Sequence, residues 1–319
     1  LEKDMMKAAV VNAFGATPLY QDFRDPQAAP GERVIAVRAA PLSPIVRALA
    51  AGRHYTSGAS AGFAPGIDGV GVDETGRRVY FLFPKAPFGS MAQRSLVADD
   101  MVTPVPDTLT DEYAAAIATA GLASWNALSR RARLDGGEVV MVLGATGAAG
   151  AMALQVARHF GAGRVIAVGR NAAKLARLDA DEIIVLDDGA DAALRAHFEA
   201  GVDVVLDFVW GEPAARVLAA AAGPVMRSGA PRLRYVQLGN IAGESIALRA
   251  DLLRSTGLEL LGCGIGSIAV KEMVAAAGEL LAAAATTRFD VPFASMPLHA
   301  IADAWNGDGD VRTILTPQG

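Results

Sequence analysis

Between Glu138 and Arg158 the chain carries no charge. It runs through an apolar, partly β-branched stretch, three glycines spaced three apart, then small and aliphatic residues at helical spacing. That pattern predicts a buried strand, a tight turn and a helix. A charge-free run of this length also has to be weighed as a membrane span. Gly144, Gly147, Gly150, Thr146 and Gln155 inside it, with a strand-type first half and a helix-type second half, argue for the soluble reading. In the turn Gly144-Ala145-Thr146-Gly147-Ala148-Ala149-Gly150, the first glycine permits the bend. The second removes a side chain where a pyrophosphate would press on the backbone, and the third brings helix and sheet close. An anion at the helix start would meet unpaired amides and the positive end of the helix dipole.

The next strand decides what the turn can bind. Arg164–Val168 is a second apolar run, followed by Gly169-Arg170-Asn171. An NAD site places Asp or Glu about 20 residues past the glycines to bond the ribose hydroxyls. Here the position reads Gly169-Arg170, and Lys174 follows four residues later. No carboxylate repels a 2′-phosphate, and a guanidinium can pair with it bidentately. The cofactor predicted from these residues is NADP(H). The alternative is a solvated Arg and Lys on a surface helix.

The chain has 319 residues, enough for two domains. Its net charge of -5 argues against nucleic acid and anionic membranes as partners, leaving a small-molecule substrate. Cys263, the only cysteine, excludes an internal disulfide and a multi-cysteine zinc site. It reads as a small buried residue. The start lacks the apolar stretch of a signal peptide, so Met5 or Met6 is the expected first residue and the cytoplasm the expected compartment. Up to about residue 107 the sequence is rich in short strand candidates (7–11, 33–38, 78–83 and 92–97) broken by prolines. From Thr110, a predicted N-cap for a helix through Arg131, the texture alternates. Strands are predicted at 138–143, 164–168, 182–186, 202–207, 234–238 and 258–261. Helices follow the first two, the second spanning 171–178, and another covers 268–285. Six strands with helices between them fit a doubly wound sheet.

Several segments in this order carry a family resemblance: Lys7-Ala8-Ala9-Val10 with Phe14-Gly15, Pro65-Gly66-Ile67-Asp68-Gly69-Val70-Gly71-Val72, Phe88-Gly89-Ser90-Met91-Ala92-Gln93, Ala120-Gly121-Leu122-Ala123-Ser124-Trp125, Asp203–Phe208 and Gln237-Leu238-Gly239-Asn240. Together they resemble the medium-chain dehydrogenase/reductase superfamily, in its zinc-independent quinone oxidoreductase and enoyl reductase branch. The resemblance implies an α/β fold: a Rossmann doubly wound parallel sheet at 123–263 that binds NADP, plus a β-rich, GroES-like catalytic domain at 5–122 and 264–319. It places Phe208, Leu238, Gly239, Asn240 and Gly264 along the cofactor, with Gly169, Arg170, Asn171 and Lys174 at its 2′-phosphate. It further implies a homodimer formed through the edge of the sixth strand.

Where alcohol dehydrogenases of that superfamily hold catalytic zinc with Cys, His and Cys, the matching positions are Ser43, Ile67 and Ala120, so no metal is expected. The implied chemistry is hydride transfer from NADPH to a quinone or to the β-carbon of an α,β-unsaturated carbonyl. Ser43, Ile45, Tyr55 and Ile67 are the substrate-pocket candidates. Zinc-free relatives often carry an N-P-x-D segment, and Ser43-Pro44-Ile45-Val46 departs from it at both polar positions. Tyr55 matches the family's G-x-Y aromatic within one residue. It is the candidate catalytic donor to a substrate carbonyl, or else an aromatic wall.

Other readings fit less well. Gly58-Ala59-Ser60-Ala61-Gly62 has the form of a hydrolase nucleophile elbow but lacks the strand before and helix after it. His54, His159, His197 and His299 have no metal-ligand spacing and read as surface or packing residues. No tyrosine has a lysine four residues on, which excludes the short-chain dehydrogenase pair. Gly169-Arg170 denies a methyltransferase its acidic residue. The remaining alternative is a non-catalytic NADPH-binding redox sensor or structural relative.

Overall fold

The computed structural model describes residues 5–58, 60–222, 232–307 and 311–317; Leu1–Asp4 and Ala59 of the glycine-serine run lie outside them. The chain divides into two compact units, Leu1–Thr119 with Lys271–Gly319, and Ala120–Val270.

The first unit opens with β1 (Met5–Val10) and β2 (Leu19–Arg24), an antiparallel pair. Next come β3 (Glu32–Leu42), α1 (Pro44–Ala50), β4 (Asp68–Val72), β5 (Arg78–Leu82), β6 (Arg94–Ala98) and β7 (Val102–Pro104). β3 is the hub of this unit, because β4 and β6 both pair with it antiparallel and apolar residues alternate along it, with Ile35, Val37 and Ala39 buried. β2, β4 and β7 were not predicted as strands. β2 reads Leu-Tyr-Gln-Asp-Phe-Arg and buries none of its residues fully, so no apolar alternation marks it. α2 (Asp111–Asn126) starts as predicted, with Thr110 Oγ1 accepting from the amide of Tyr113 at 3.2 Å.

The helix does not run regularly to Arg131. It ends at Asn126 and continues as a π-helical turn, Ala127–Ala132, closed by Arg133 in the left-handed region. The guanidinium of Arg234, 2% exposed, donates to the carbonyls of Ala132 and Arg133 at 2.8 and 3.2 Å and pairs with Glu138. A buried arginine a hundred residues away thus satisfies the turn's last carbonyls.

The second unit follows with β8 (Val139–Leu143), α3 (Ala148–His159), β9 (Arg164–Gly169), α4 (Ala172–Leu175), β10 (Glu182–Val185), α5 (Ala190–Ala200), β11 (Val204–Asp207), α6 (Gly211–Ala220), β12 (Leu233–Gln237), α7 (Ala250–Ser255) and β13 (Leu258–Gly262). Its six strands are all parallel, in the order β10-β9-β8-β11-β12-β13. Counted from β8 this is 3-2-1-4-5-6, the doubly wound order, with the topological switch between β8 and β11. The helix predicted over 171–178 is one turn, Ala172–Leu175. The residues after it bend away to deliver Asp181, whose carboxylate accepts from the amide of Val165.

The chain then returns to the first unit through α8 (Val270–Ala284), β14 (Phe293–Pro297), α9 (Ile301–Asn306) and β15 (Arg312–Thr316). β15 pairs antiparallel with β3 and extends its sheet. Among the described residues no helix is long and apolar enough to cross a membrane.

Candidate functional site

The glycine turn leaves β8 at the switch point. Gly144 has φ +87°, and its amide and that of Ala145 donate to the carbonyl of Val168 at 2.9 and 3.1 Å. Gly147 is the N-cap of α3 and offers no side-chain cap; Gly147 and Ala148 are exposed. The first amides of α3 therefore point outward with no helical acceptor, a ready site for an anion. Gly150 faces the other way: a Cβ there would lie 2.3 Å from the carbonyl oxygen of Gly144. At Gly147 the nearest atom would be 3.6 Å away. Gly150 is thus required by the protein's own packing, whereas the space at Gly147 is open to a ligand.

Around this turn stand the ends of the neighbouring strands. At the end of β9, the methyl of Thr146 packs 3.3 Å from where a Cβ on Gly169 would be. Arg170 follows, exposed. Asn171 caps α4 by accepting from the amide of Lys174 at 2.9 Å, which places the exposed Lys174 one turn from Arg170. At the end of β11, Phe208 is half-buried, and its carbonyl oxygen is 2.5 Å from where a Cβ on Gly239 would sit. Leu238 and Gly239, after β12, both donate backbone amides to the carbonyl of Asp207, and Asn240 is exposed. Gly264, after β13, is held in a turn by Ser267, whose Oγ accepts from its amide at 2.8 Å.

Two residues here have no signal in the sequence pattern. The buried carboxylate of Asp207 accepts from the amides of Val209 and Trp210 and from the Tyr235 hydroxyl, at 2.8, 2.9 and 2.9 Å. Burial pushes its pKa up against these hydrogen bonds. Trp210 has φ +55° and ψ -157°, a conformation suited to glycine and costly for other residues. Asp207 pins that peptide and so sets Val209, which packs against Gly144. The three hydrogen bonds of Asp207 appear only in the fold.

In the first unit, Ser43 is the N-cap of α1 but makes no capping hydrogen bond. Its hydroxyl is buried and without a hydrogen-bond partner among the described residues. Ile45 and Ile67 are half-buried, and Ile67 packs on the unit's apolar core. Tyr55 is 72% exposed, with its ring 4.2 Å from that of His54. A polar cluster lies at this end of the sheet. Asp68, at the start of β4, accepts from the hydroxyls of Tyr80, at 2.8 Å, and Thr119. Burial raises its pKa, while Thr119, Tyr80 and the nearby Arg312 pull it back. Cys263, in the second unit, is buried and its thiol is pushed up to about 12, so it is inert.

Comparison with known proteins agrees with this architecture. A family model described as zinc-binding dehydrogenase matches residues 148–283. The chain is 31% identical, over 363 aligned positions, to a probable NADPH-dependent quinone reductase of Emericella nidulans, covering 98% of this chain and all of that protein. This chain belongs to the medium-chain dehydrogenase/reductase superfamily, in its quinone oxidoreductase branch. Another relative is a phenolphthiocerol/phthiocerol polyketide synthase subunit of Mycobacterium tuberculosis. It is 32% identical over 228 positions, covering 61% of this chain and 9% of that much longer protein. Among solved structures, a quinone oxidoreductase of Thermus thermophilus, also determined in complex with NADPH, matches with a TM-score of 0.76 and 28% identity. That match covers 98% of this chain and all of the other.

Proposed function

We propose that this medium-chain oxidoreductase is zinc-independent and uses NADPH to deliver hydride to a quinone or to the β-carbon of an α,β-unsaturated carbonyl. The observation that carries the cofactor reading is Arg170, exposed at the end of β9 beside an uncapped helix start, where an NAD enzyme needs a carboxylate. The turn from Gly144 to Gly150 receives the pyrophosphate, and Arg170 with Lys174 and Asn171 the 2′-phosphate. Phe208, Leu238, Gly239, Asn240 and Gly264 form the wall along the cofactor. Residues 123–263 serve as the cofactor domain, and 5–122 with 264–319 as the catalytic one. The working form is a homodimer.

The description of the matching family model implies zinc, but the residues do not fit it. At the three positions that match the zinc ligands of alcohol dehydrogenases, Ile67 and Ala120 are aliphatic, and Ser43 offers only a buried hydroxyl. No step of the proposed reaction runs through a metal. The bound cofactor supplies the hydride; the protein orients the acceptor against it and keeps water out. Tyr55 donates to the acceptor's carbonyl oxygen. For a quinone the hydroquinone anion then takes its second proton from water, so no positioned acid is needed. The quinone class is supported by a relative that is a probable quinone reductase by name.

The test is steady-state oxidation of NADPH and of NADH, each with a small quinone and with an α,β-unsaturated ketone. NADPH-specific turnover is expected, and the faster acceptor selects the substrate class. Tight NADPH binding with no turnover on any acceptor would instead make the protein a sensor.

A further inference from the structure

The loop after α1 holds a histidine in a defined state. The backbone amide of Thr56 donates to His54 Nδ1 at 3.2 Å, and the Thr56 hydroxyl lies 2.7 Å from the same nitrogen. An amide N–H can only donate, so Nδ1 is the acceptor and the ring proton belongs to Nε2. Two further bonds close the turn around the ring. The amide of His54 donates to Ser57 Oγ at 3.2 Å, and the amide of Ser57 donates to the carbonyl of His54 at 2.8 Å. The chain before it is tied to the end of α1 by the amides of Ala51, Gly52 and Arg53. Every polar atom of His54 is thereby satisfied except Nε2–H, which has no partner among the described residues. The ring is half-buried, with its centroid 4.2 Å from that of Tyr55, the residue already proposed at the substrate, and tilted 31° to it.

We propose that the Nε2–H of His54 is the hydrogen-bond donor to the substrate oxygen on which negative charge collects as hydride arrives, with Thr56 as the positioning residue. This rests on the reductase reading above and replaces a lone Tyr55 by a His54–Tyr55 pair. The electron balance is simple. One proton and two electrons pass together as hydride to a substrate carbon, and the carbonyl π pair moves onto oxygen. His54 stabilises that oxygen without giving up its proton, which would leave an imidazolate, and the second proton comes from water. The acceptor role of Nδ1 requires a neutral ring, and partial burial lowers the His54 pKa in that direction. A donor aimed at a developing oxyanion in this way acts on kcat more than on binding of the ground state.

The experiment compares wild type, His54→Ala and His54→Gln by three readouts: kcat and KM with a small quinone, the NADPH dissociation constant, and binding of ionised 4-nitrophenol, a stand-in for the oxyanion, in the presence of NADP+. His54→Ala is expected to lower kcat about 100-fold, to weaken nitrophenolate binding about tenfold, and to leave NADPH binding unchanged. His54→Gln, whose amide can donate from a similar position, is expected to recover most of both losses. Unchanged kcat and nitrophenolate binding in His54→Ala would overturn the His54 assignment and leave the reductase reading standing. A wild type that turns over nothing, yet loses nitrophenolate affinity on His54→Ala, would sink the reductase reading and keep the donor site. A wild type with neither turnover nor nitrophenolate binding overturns both.

Discussion

The glycine turn of the second unit and the polar cluster of the first are opposite solutions to placing polar groups at a site. At Gly144–Gly150 the groups that matter are backbone amides, exposed at a helix start and left unpaired by the geometry of any helix. Around Asp68 they are buried side chains: Tyr80 and Thr119 both donate to one carboxylate oxygen, while the other oxygen and Arg312 Nε are buried without a hydrogen-bond partner among the described residues. The first needs only small residues in the right order. The second needs β4, β5, α2 and β15 brought together by the fold.

The comparison breaks most visibly at Asp68. Asp68→Ala removes the acceptor of the buried Tyr80 and Thr119 hydroxyls, so stability is expected to fall by about 2 to 4 kcal/mol. A thermal or urea unfolding curve matching wild type would show that the cluster contributes nothing net. In the other unit Arg170→Ala leaves the fold intact and is expected to cost NADPH binding roughly 1.5 to 3 kcal/mol while NADH binding barely changes. Titrations of both cofactors decide it, and equal losses would remove Arg170 from the 2′-phosphate.

A sharper contrast lies inside the turn. Gly150→Ala forces a Cβ against the Gly144 carbonyl and is expected to destabilise the fold by about 1 to 3 kcal/mol. Gly147→Ala meets only the Gly144 carbonyl oxygen, at an ordinary contact distance of 3.6 Å, so its stability should stay within about 0.5 kcal/mol of wild type. Its NADPH affinity should nevertheless drop by about tenfold, roughly 1.4 kcal/mol. Melting temperature and cofactor affinity measured on both variants separate packing from binding; parallel behaviour would refute the distinction.

The smallest effect concerns acid. Against the opposing pull of burial, hydrogen bonds from Thr75 and Arg77 hold the Asp73 carboxyl well below its ordinary value. A depressed folded-state pKa means that its stabilisation is complete above the unfolded-state value, about 3.9, and is lost as pH falls through the lower folded one. Asp73→Asn should therefore flatten the acid limb of stability against pH and matter least below it. An unaltered acid limb would assign that limb to other carboxylates.

Legibility followed the same divide. The turn, the alternation of strands and helices and the position of Arg170 could be read because each depends on local residue chemistry and spacing. The π-helical turn at Ala127–Ala132 could not, since its closing partner is Arg234, far along the chain. Nor could the role of His54, which spacing alone marks as an ordinary surface histidine. Its tautomer depends on the Thr56 amide folding back onto Nδ1. β2 escaped notice because an exposed strand carries no apolar alternation.

By itself, then, the sequence determined where the backbone must turn and come close to something, because only glycine tolerates the φ of Gly144 and the approach at Gly150. Only the family resemblance matched Ser43, Ile67 and Ala120 to zinc-ligand positions. The tertiary structure decided the strand order that puts this turn at a switch point, the shared carboxylate of Asp68, and the peptide of Trp210 pinned by Asp207. These rest on contacts between residues distant in the chain, and such contacts are selected by packing and burial of the whole fold, which no local pattern encodes.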